Sequence, residues 1–201
     1  YFQMENVRQG VFDLTTKLFG LQYEKIEGIA VYHPDVEAFK VSDADGSLIG
    51  VILTDYFPRS TKRGGAWMNN FVNQEIIDGV ETRPVIVNVG NFAKPTADKP
   101  SLLTLDQVET LFHEYGHALH GLLSQCTYLS VSGTAVARDF VELPSQIMEN
   151  WAFQKEVLAS YARHYETGEV IPEELVAKIE AAENFNQGFM TTELAAAAIL
   201  D

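Results

Sequence analysis

The feature that most constrains this chain is a pair of histidines spaced four residues apart in a strongly helical segment. The segment His113-Glu114-Tyr115-Gly116-His117 follows Thr104-Leu105-Asp106-Gln107, which fits a capping box at the start of a helix over about residues 105–124. Residues i and i+4 share a helix face, so both imidazoles could reach one metal ion. Glu114 would lie beside that ion and could take a proton from a metal-bound water. The alternative is two ordinary surface histidines.

A catalytic zinc site needs a third protein ligand, and two residues are candidates. His120 lies on the same helix but points in a different direction from His113 and His117. Glu142 follows an irregular, Gly-containing segment and lies near the start of the next predicted helix, which could fold back onto the first. A set of two histidines and one glutamate is a known peptidase arrangement. We therefore expect one Zn²⁺ per chain on His113, His117 and Glu142.

Three further residues bear on this predicted site. Glu149 lies seven residues after Glu142, on the same helix face, and could accept a hydrogen bond from a ligand histidine. A solvated surface carboxylate is an equally good interpretation of Glu149. Gly116 inside a helix costs about 1 kcal/mol relative to alanine, which predicts close approach by another segment. Asp139 is interpreted as a helix cap only.

Apolar spacing and turn residues predict the remaining elements. They are, in order, a helix over 5–19 that ends at Gly20, strands within 22–57, a strand over 84–91, a helix from about 139 to 165, and helices over 173–184 and 190–200. Asp43–Ser47 is a hairpin turn rather than a calcium loop, because Thr54 stands where the bidentate glutamate belongs. Lys62–Gly65 lacks a following Walker pattern, so a phosphate site is not expected. The strand over 84–91 could offer a free edge to an extended peptide.

Charge and cysteine content limit the possible binding partners and the possible cellular compartments. The formal net charge of −14 argues against nucleic acid or an anionic membrane as a partner. No apolar run reaches membrane-spanning length. The single cysteine, Cys126, excludes an internal disulfide and favours the cytoplasm, although periplasmic proteins can also lack disulfides. A packed or partly exposed thiol is expected for Cys126. The composition leaves the oligomeric state open.

Sequence features at both ends of the chain indicate truncation. Residues 1–3, Tyr-Phe-Gln, resemble the remnant of an engineered protease-site tag. The apolar helix predicted over 190–200 has no Gly or Pro stop signal. We therefore expect residues 4–201 to be a partial catalytic domain, truncated at both ends.

Three segments carry a specific resemblance to the thimet oligopeptidase family of zinc peptidases. They are residues 112–121, which contain the paired histidines, residues 132–134, and residues 138–146, which contain Glu142. Within the family the bacterial peptidyl-dipeptidase branch is most similar, on residues 43–46, 64–68 and 120–121. The likeness covers nearly all of residues 4–201.

The resemblance implies an α+β fold, predominantly helical, with a zincin-like core in which a small β-sheet is followed by the zinc-binding helices. It implies that His113, His117 and Glu142 bind zinc and that Glu114 is the base. The implied activity is hydrolysis of short peptides with release of C-terminal dipeptides. Family members continue into a segment whose His and Tyr side chains stabilise the transition state, so the chain alone is expected to be a poor catalyst or none.

Two other functions stay open from the sequence. One is a general oligopeptidase of the same family that cuts within short peptides. The other is a non-catalytic metal-binding or peptide-binding module. Glu114 speaks against this second alternative, because a structural zinc site needs no base and usually closes with four protein ligands.

Overall fold

The structure is a computed structural model that describes residues 1–200, and the chain divides into two compact units. The first unit, Tyr1–Val170, contains a mixed β-sheet and four helices; the second begins at Ile171 and contains two helices. The helices are α1 (Met4–Phe19), α2 (Leu105–Leu122), α3 (Leu143–Ala152), α4 (Lys155–Tyr161), α5 (Glu173–Glu183) and α6 (Gln187–Leu200). Within the described residues, none of these helices has both the length and the apolar character needed to cross a bilayer.

Five strands form the main sheet, and two more form a separate hairpin. The strands are β1 (Gln22–Lys25), β2 (Glu37–Ser42), β3 (Leu48–Asp55), β4 (Trp67–Val72), β5 (Glu75–Ile77), β6 (Val80–Thr82) and β7 (Val85–Val89). The sheet order is β1-β2-β3-β7-β4, and among the strands of residues 1–200 β5 pairs with β6 alone. The predicted α+β class is confirmed.

Strand β7 lies inside the sheet. It pairs in parallel with β3, Val51 opposite Val85, and antiparallel with β4, where Trp67 lies opposite Val89. The strand predicted over 84–91 is therefore confirmed, but the prediction that it offers a free edge is wrong. Strand β4, which the sequence did not predict, occupies that edge.

The first predicted helix and the first hairpin are also confirmed. Helix α1 ends at Gly20, whose φ of 77° is left-handed and whose N–H donates to the Thr16 carbonyl at 2.9 Å. The turn between β2 and β3 is closed by a hydrogen bond of 2.9 Å from the Asp43 N–H to the Ser47 carbonyl. Gly46 takes φ 88° there, which a residue with a side chain rarely adopts.

The helix predicted over 139–165 is wrong in its start and in its continuity. Helix α3 begins at Leu143, and Asp139 lies in the preceding turn rather than capping a helix. Pro144 explains the later start, since proline is tolerated in the first turn of a helix and not further inside. The chain then becomes extended at Gln154 before α4 begins, so α3 and α4 are separate helices.

Helices α2 and α3 cross at Gly116, as the glycine inside the helix predicted. A Cβ atom at residue 116 would lie 2.5 Å from the Cα of Ser145 and 2.6 Å from the carbonyl oxygen of Pro144. Both neighbours are backbone atoms of α3, so the helices must separate if any side chain is added. The missing side chain therefore sets the distance between the two helices.

We expect Gly116→Ala to lower the free energy of unfolding by about 1–3 kcal/mol, the usual cost of overpacking a buried contact. The gain in helix propensity of about 1 kcal/mol offsets only part of the clash. Urea unfolding monitored by circular dichroism measures the change. Gly188→Ala is the matched control, because residue 188 is also helical but a Cβ there meets no atom within 4 Å. Equal or greater stability of the Gly116 variant would contradict the tight crossing.

Candidate metal centre

Helix α2 holds the two histidines in a fixed orientation. The predicted capping box is present: the Gln107 N–H donates to the Thr104 hydroxyl at 3.3 Å, and the Thr104 N–H donates to the Gln107 side chain at 3.0 Å. Further along the helix, Asn88 on β7 donates from its side chain to the Glu114 carbonyl at 2.7 Å. This bond attaches the helix to the sheet at Glu114, which directly follows the first histidine.

Glu142 lies in the turn that precedes α3, and its carboxylate contacts both histidines. One carboxylate oxygen, Oε2, lies 3.3 Å from Nε2 of His113 and 3.2 Å from Nε2 of His117. One ligand atom from each residue can be chosen so that all three lie within 4.8 Å of one another. The three residues that the sequence singled out are therefore brought together, in a geometry that could hold a metal ion.

Ser145 orients Glu142, a contact that was not predicted from the sequence. Its hydroxyl lies 2.8 Å from Oε2 of Glu142 and 2.8 Å from the Glu142 carbonyl oxygen. The hydrogen bond from Ser145 is the largest influence that holds the pKa of Glu142 below its usual range. A serine three residues after a candidate ligand, in the first turn of a helix, is the signal that could have identified this contact.

Glu149 contacts His113 on the ring nitrogen that faces away from Glu142. The distance from Nδ1 of His113 to Oε1 of Glu149 is 2.5 Å. Of the two alternatives that the sequence left open, the structure places Glu149 against the histidine rather than free in solvent. This contact orients the His113 ring and fixes the tautomer that keeps Nε2 available as a ligand atom.

Glu114 lies beside the histidine pair and is largely withdrawn from solvent. Its side chain is buried, and Oε2 has no hydrogen-bond partner among the described residues. Burial, the largest influence, raises the pKa of Glu114 to about 7; His113 opposes the rise and the Glu142 charge adds to it. A carboxyl group with a pKa near neutrality is suited to accept and release a proton.

The surroundings of His117 favour the neutral imidazole that metal binding requires. Burial lowers the pKa of His117, although the nearby Glu142 carboxylate opposes that change. A neutral imidazole and an ionised carboxylate are the forms that coordinate a metal. The protonation states of His117 and Glu142 therefore both favour a cation.

His120 is not part of this group. Its ring packs edge-on against Phe140, with the centroids 6.1 Å apart, and its buried Nδ1 has no hydrogen-bond partner in residues 1–200. Burial lowers its pKa. The interpretation of His120 as a packing residue agrees with this position.

Comparison with known proteins places the chain in a family. The model of peptidase family M3 matches residues 1–201. The chain is 47% identical to dipeptidyl carboxypeptidase of Escherichia coli K12, over all of this chain and 29% of that protein. It is 42% identical to oligopeptidase A of the same strain, over 92% of this chain and 28% of that protein. It is 43% identical to organellar oligopeptidase A of Arabidopsis thaliana, over 94% of this chain and 25% of that protein.

The chain thus spans less than a third of the length of the relatives that it matches. The match to the family model is complete over the chain itself, and the two kinds of bacterial relative are both peptidases by name. This chain belongs to peptidase family M3.

Proposed function

We propose that the protein hydrolyses oligopeptides with the help of one Zn²⁺, held by His113, His117 and Glu142, with Glu114 as the base. The observation that carries this proposal is the convergence of three ligand atoms within 4.8 Å, with Glu114 one residue from His113. We also propose that the core around these helices has a zincin-like fold.

The donor set fits zinc better than it fits calcium or magnesium. Imidazole nitrogen suits Zn²⁺, whereas Ca²⁺ and Mg²⁺ prefer sites made of oxygen alone. The buried, unpartnered Oε2 of Glu114 also supports a cation with its water nearby, because a buried carboxylate oxygen without a partner is costly. Three protein ligands leave one position open, which is typical of a catalytic rather than a structural site.

When bound, Zn²⁺ lowers the pKa of water and polarises a carbonyl oxygen. Glu114 accepts the proton that the attacking water loses and can pass it to the leaving amine. Glu149 keeps the His113 ring in place, and Ser145 keeps the Glu142 carboxylate in place. Burial of Glu114 keeps competing water away from the proton-transfer group.

The peptide would lie along β4. Among the described residues this strand ends the sheet, so its outer backbone groups have no strand partner. Helix α2 packs against the same strand, since a Cβ at Gly121 would lie 2.7 Å from the Met68 side chain. An extended peptide paired with β4 would therefore run close to the helix that carries the histidines.

Release of C-terminal dipeptides is our proposal for the position of the cut, and short peptides are the proposed substrates. The 47% identity to a dipeptidyl carboxypeptidase over the whole chain supports it. Internal cutting is the second candidate, supported by the 42% identity to an oligopeptidase A. Mass spectrometry of the products from a peptide with a blocked N-terminus separates the two. The cytoplasm is the proposed compartment, on the single cysteine.

We expect Glu142→Ala to weaken zinc binding by more than the about 10–100-fold that loss of an outer hydrogen bond costs. The substitution removes a ligand oxygen that lies within 3.3 Å of both histidines. Competition with a zinc chelator measures the affinity. Glu156→Ala, which removes an exposed carboxylate of α4, is the control and should bind as the wild type does. Unchanged affinity in the Glu142 variant would rule out this ligand set.

Glu149→Ala should weaken zinc binding by about 10–100-fold, less than Glu142→Ala does. The variant loses the contact that orients His113 but keeps all three ligand atoms. The same chelator competition gives the number. An effect equal to that of Glu142→Ala would mean that Glu149 is itself a ligand, and no effect would mean that its contact with His113 is incidental.

Glu114→Gln in the full-length gene product should keep its zinc and lose at least about a hundredfold in kcat, because glutamine cannot accept the proton. Zinc content by mass spectrometry and kcat on one peptide test this together. Substantial activity with zinc in place would show that another group is the base.

A further inference from the structure

A buried cluster of charged side chains lies where β3 ends. The Asp55 carboxylate is almost fully buried and accepts two hydrogen bonds from Arg59, at 2.8 and 2.9 Å. Tyr32 donates to the same carboxylate at 2.9 Å, and Lys62 donates to it at 3.1 Å. Burial alone would raise the pKa of Asp55, but the bonds from Arg59 and Lys62 outweigh it and hold the pKa below its usual range.

Lys62 has a second set of partners, all of them backbone carbonyl oxygens. Its ammonium group lies 2.9 Å from the carbonyl of Asp55, 2.9 Å from that of Phe57 and 2.6 Å from that of Gly90. The Lys62 side chain is 6% exposed. Gly90 directly follows β7, so this one side chain joins the loop after β3 to the end of β7.

The loop has to cross β7. It leaves β3 at Asp55 and enters β4 at Trp67, and these strands lie on opposite sides of β7. Lys62 holds the loop at the crossing, and Asn91 holds its last part, donating to the carbonyls of Arg63 at 2.9 Å and Gly65 at 2.6 Å. The residues that lead into β4 are thus attached to the segment that follows β7.

Stability alone is a weak reason for such a cluster. Desolvating buried charges can cost as much as their attraction returns, and apolar replacements of buried ion pairs are often neutral. What Lys62 provides that an apolar residue could not is directed hydrogen bonds to carbonyl groups of three separate positions. These bonds fix a backbone path, and the path ends in the edge strand.

We propose that Lys62, assisted by Asn91, is a positioning residue that holds the start of β4 in the place where the strand can pair with a peptide substrate. The inference rests on the proposed function, in which the free edge of β4 binds the peptide. In this proposal Lys62 contacts neither the three candidate metal ligands nor the peptide. It acts through the backbone of β4.

The test uses the full-length gene product loaded with zinc, with kcat and KM measured for one oligopeptide and for the same peptide N-methylated at each backbone amide in turn. In the wild type, methylation of an amide that pairs with β4 raises KM. Lys62→Met removes the hydrogen bonds and keeps the apolar stem. It should raise KM for the unmodified peptide about tenfold, which corresponds to the loss of one backbone hydrogen bond. It should also reduce the discrimination, by which we mean the ratio of KM for the methylated peptide to KM for the unmodified peptide. Zinc content and kcat should change little.

One variant controls for a merely structural role, and a second repeats the test. Arg59→Met removes a partner of the same Asp55 carboxylate but no contact with Gly90, so it should lower the melting temperature and leave KM and the discrimination unchanged. Asn91→Ala removes only the exposed contacts to Arg63 and Gly65 and should raise KM in the same direction as Lys62→Met. It also provides the test if Lys62→Met does not fold.

The outcomes separate the inference from the proposed function. If the wild type does not cleave peptides, the proposed function fails and the inference fails with it. If the wild type cleaves and Glu114→Gln does not, the proposed function stands. In that case, unchanged KM and unchanged discrimination in Lys62→Met, or in Asn91→Ala where Lys62→Met is unfolded, would overturn the role of Lys62 alone.

Discussion

The contact between the backbones of α2 and α3 at Gly116 is the constraint on which the candidate site depends. The two histidines belong to one helix, and Glu142 belongs to the turn that starts the other. A separation of 3.2–3.3 Å between their ligand atoms is reached only because no side chain stands between residue 116 and the Pro144–Ser145 backbone. The same contact that packs the core therefore also sets the geometry of the site, since close-packed interiors transmit small displacements.

Electrostatics around the histidines favours a cation. Oε2 of Glu142 lies within 3.3 Å of Nε2 of both histidines, and Oε1 of Glu149 lies 2.5 Å from Nδ1 of His113, so two carboxylates face one histidine pair. Burial, with the nearby charge of Glu149, also raises the pKa of Glu109, one turn before His113. A divalent cation held by His113, His117 and Glu142 would offset this excess of carboxylate charge, as in metal centres generally.

Local signals in the sequence were sufficient for α1, the start of α2 and the placement of His113 and His117 on one helix face. A capping box, a C-terminal glycine and an i, i+4 pair all act within a few residues. Strand β4 was missed because Trp67–Val72 shows no alternation of apolar and polar residues, and its conformation comes from pairing with β7. The start of α3 was misplaced because Pro144 fixes it more strongly than Asp139 does.

The tertiary contacts of the site were beyond prediction for a related reason. The Asn88 side chain donates to the Glu114 carbonyl, and the Lys62 ammonium group donates to the Gly90 carbonyl. Both hydrogen bonds join segments that are distant in sequence. No periodicity marks a lysine as buried, because its partners are backbone carbonyls that every residue carries. The basic loop over 59–65 therefore has the composition of a surface loop in the sequence, whereas Lys62 is almost entirely covered in the structure.

The order of strands in the sheet has a consequence for synthesis on the ribosome. Strand β4 leaves the ribosome before β7, yet β7 is its pairing partner and separates it from β3. Until β7 arrives, the nascent chain carries Trp67 and Phe71 on a strand without a partner, a state prone to association with other chains. The hairpin of β5 and β6, which pairs locally, lies between them and shortens the effective loop that must close when β7 pairs with β4.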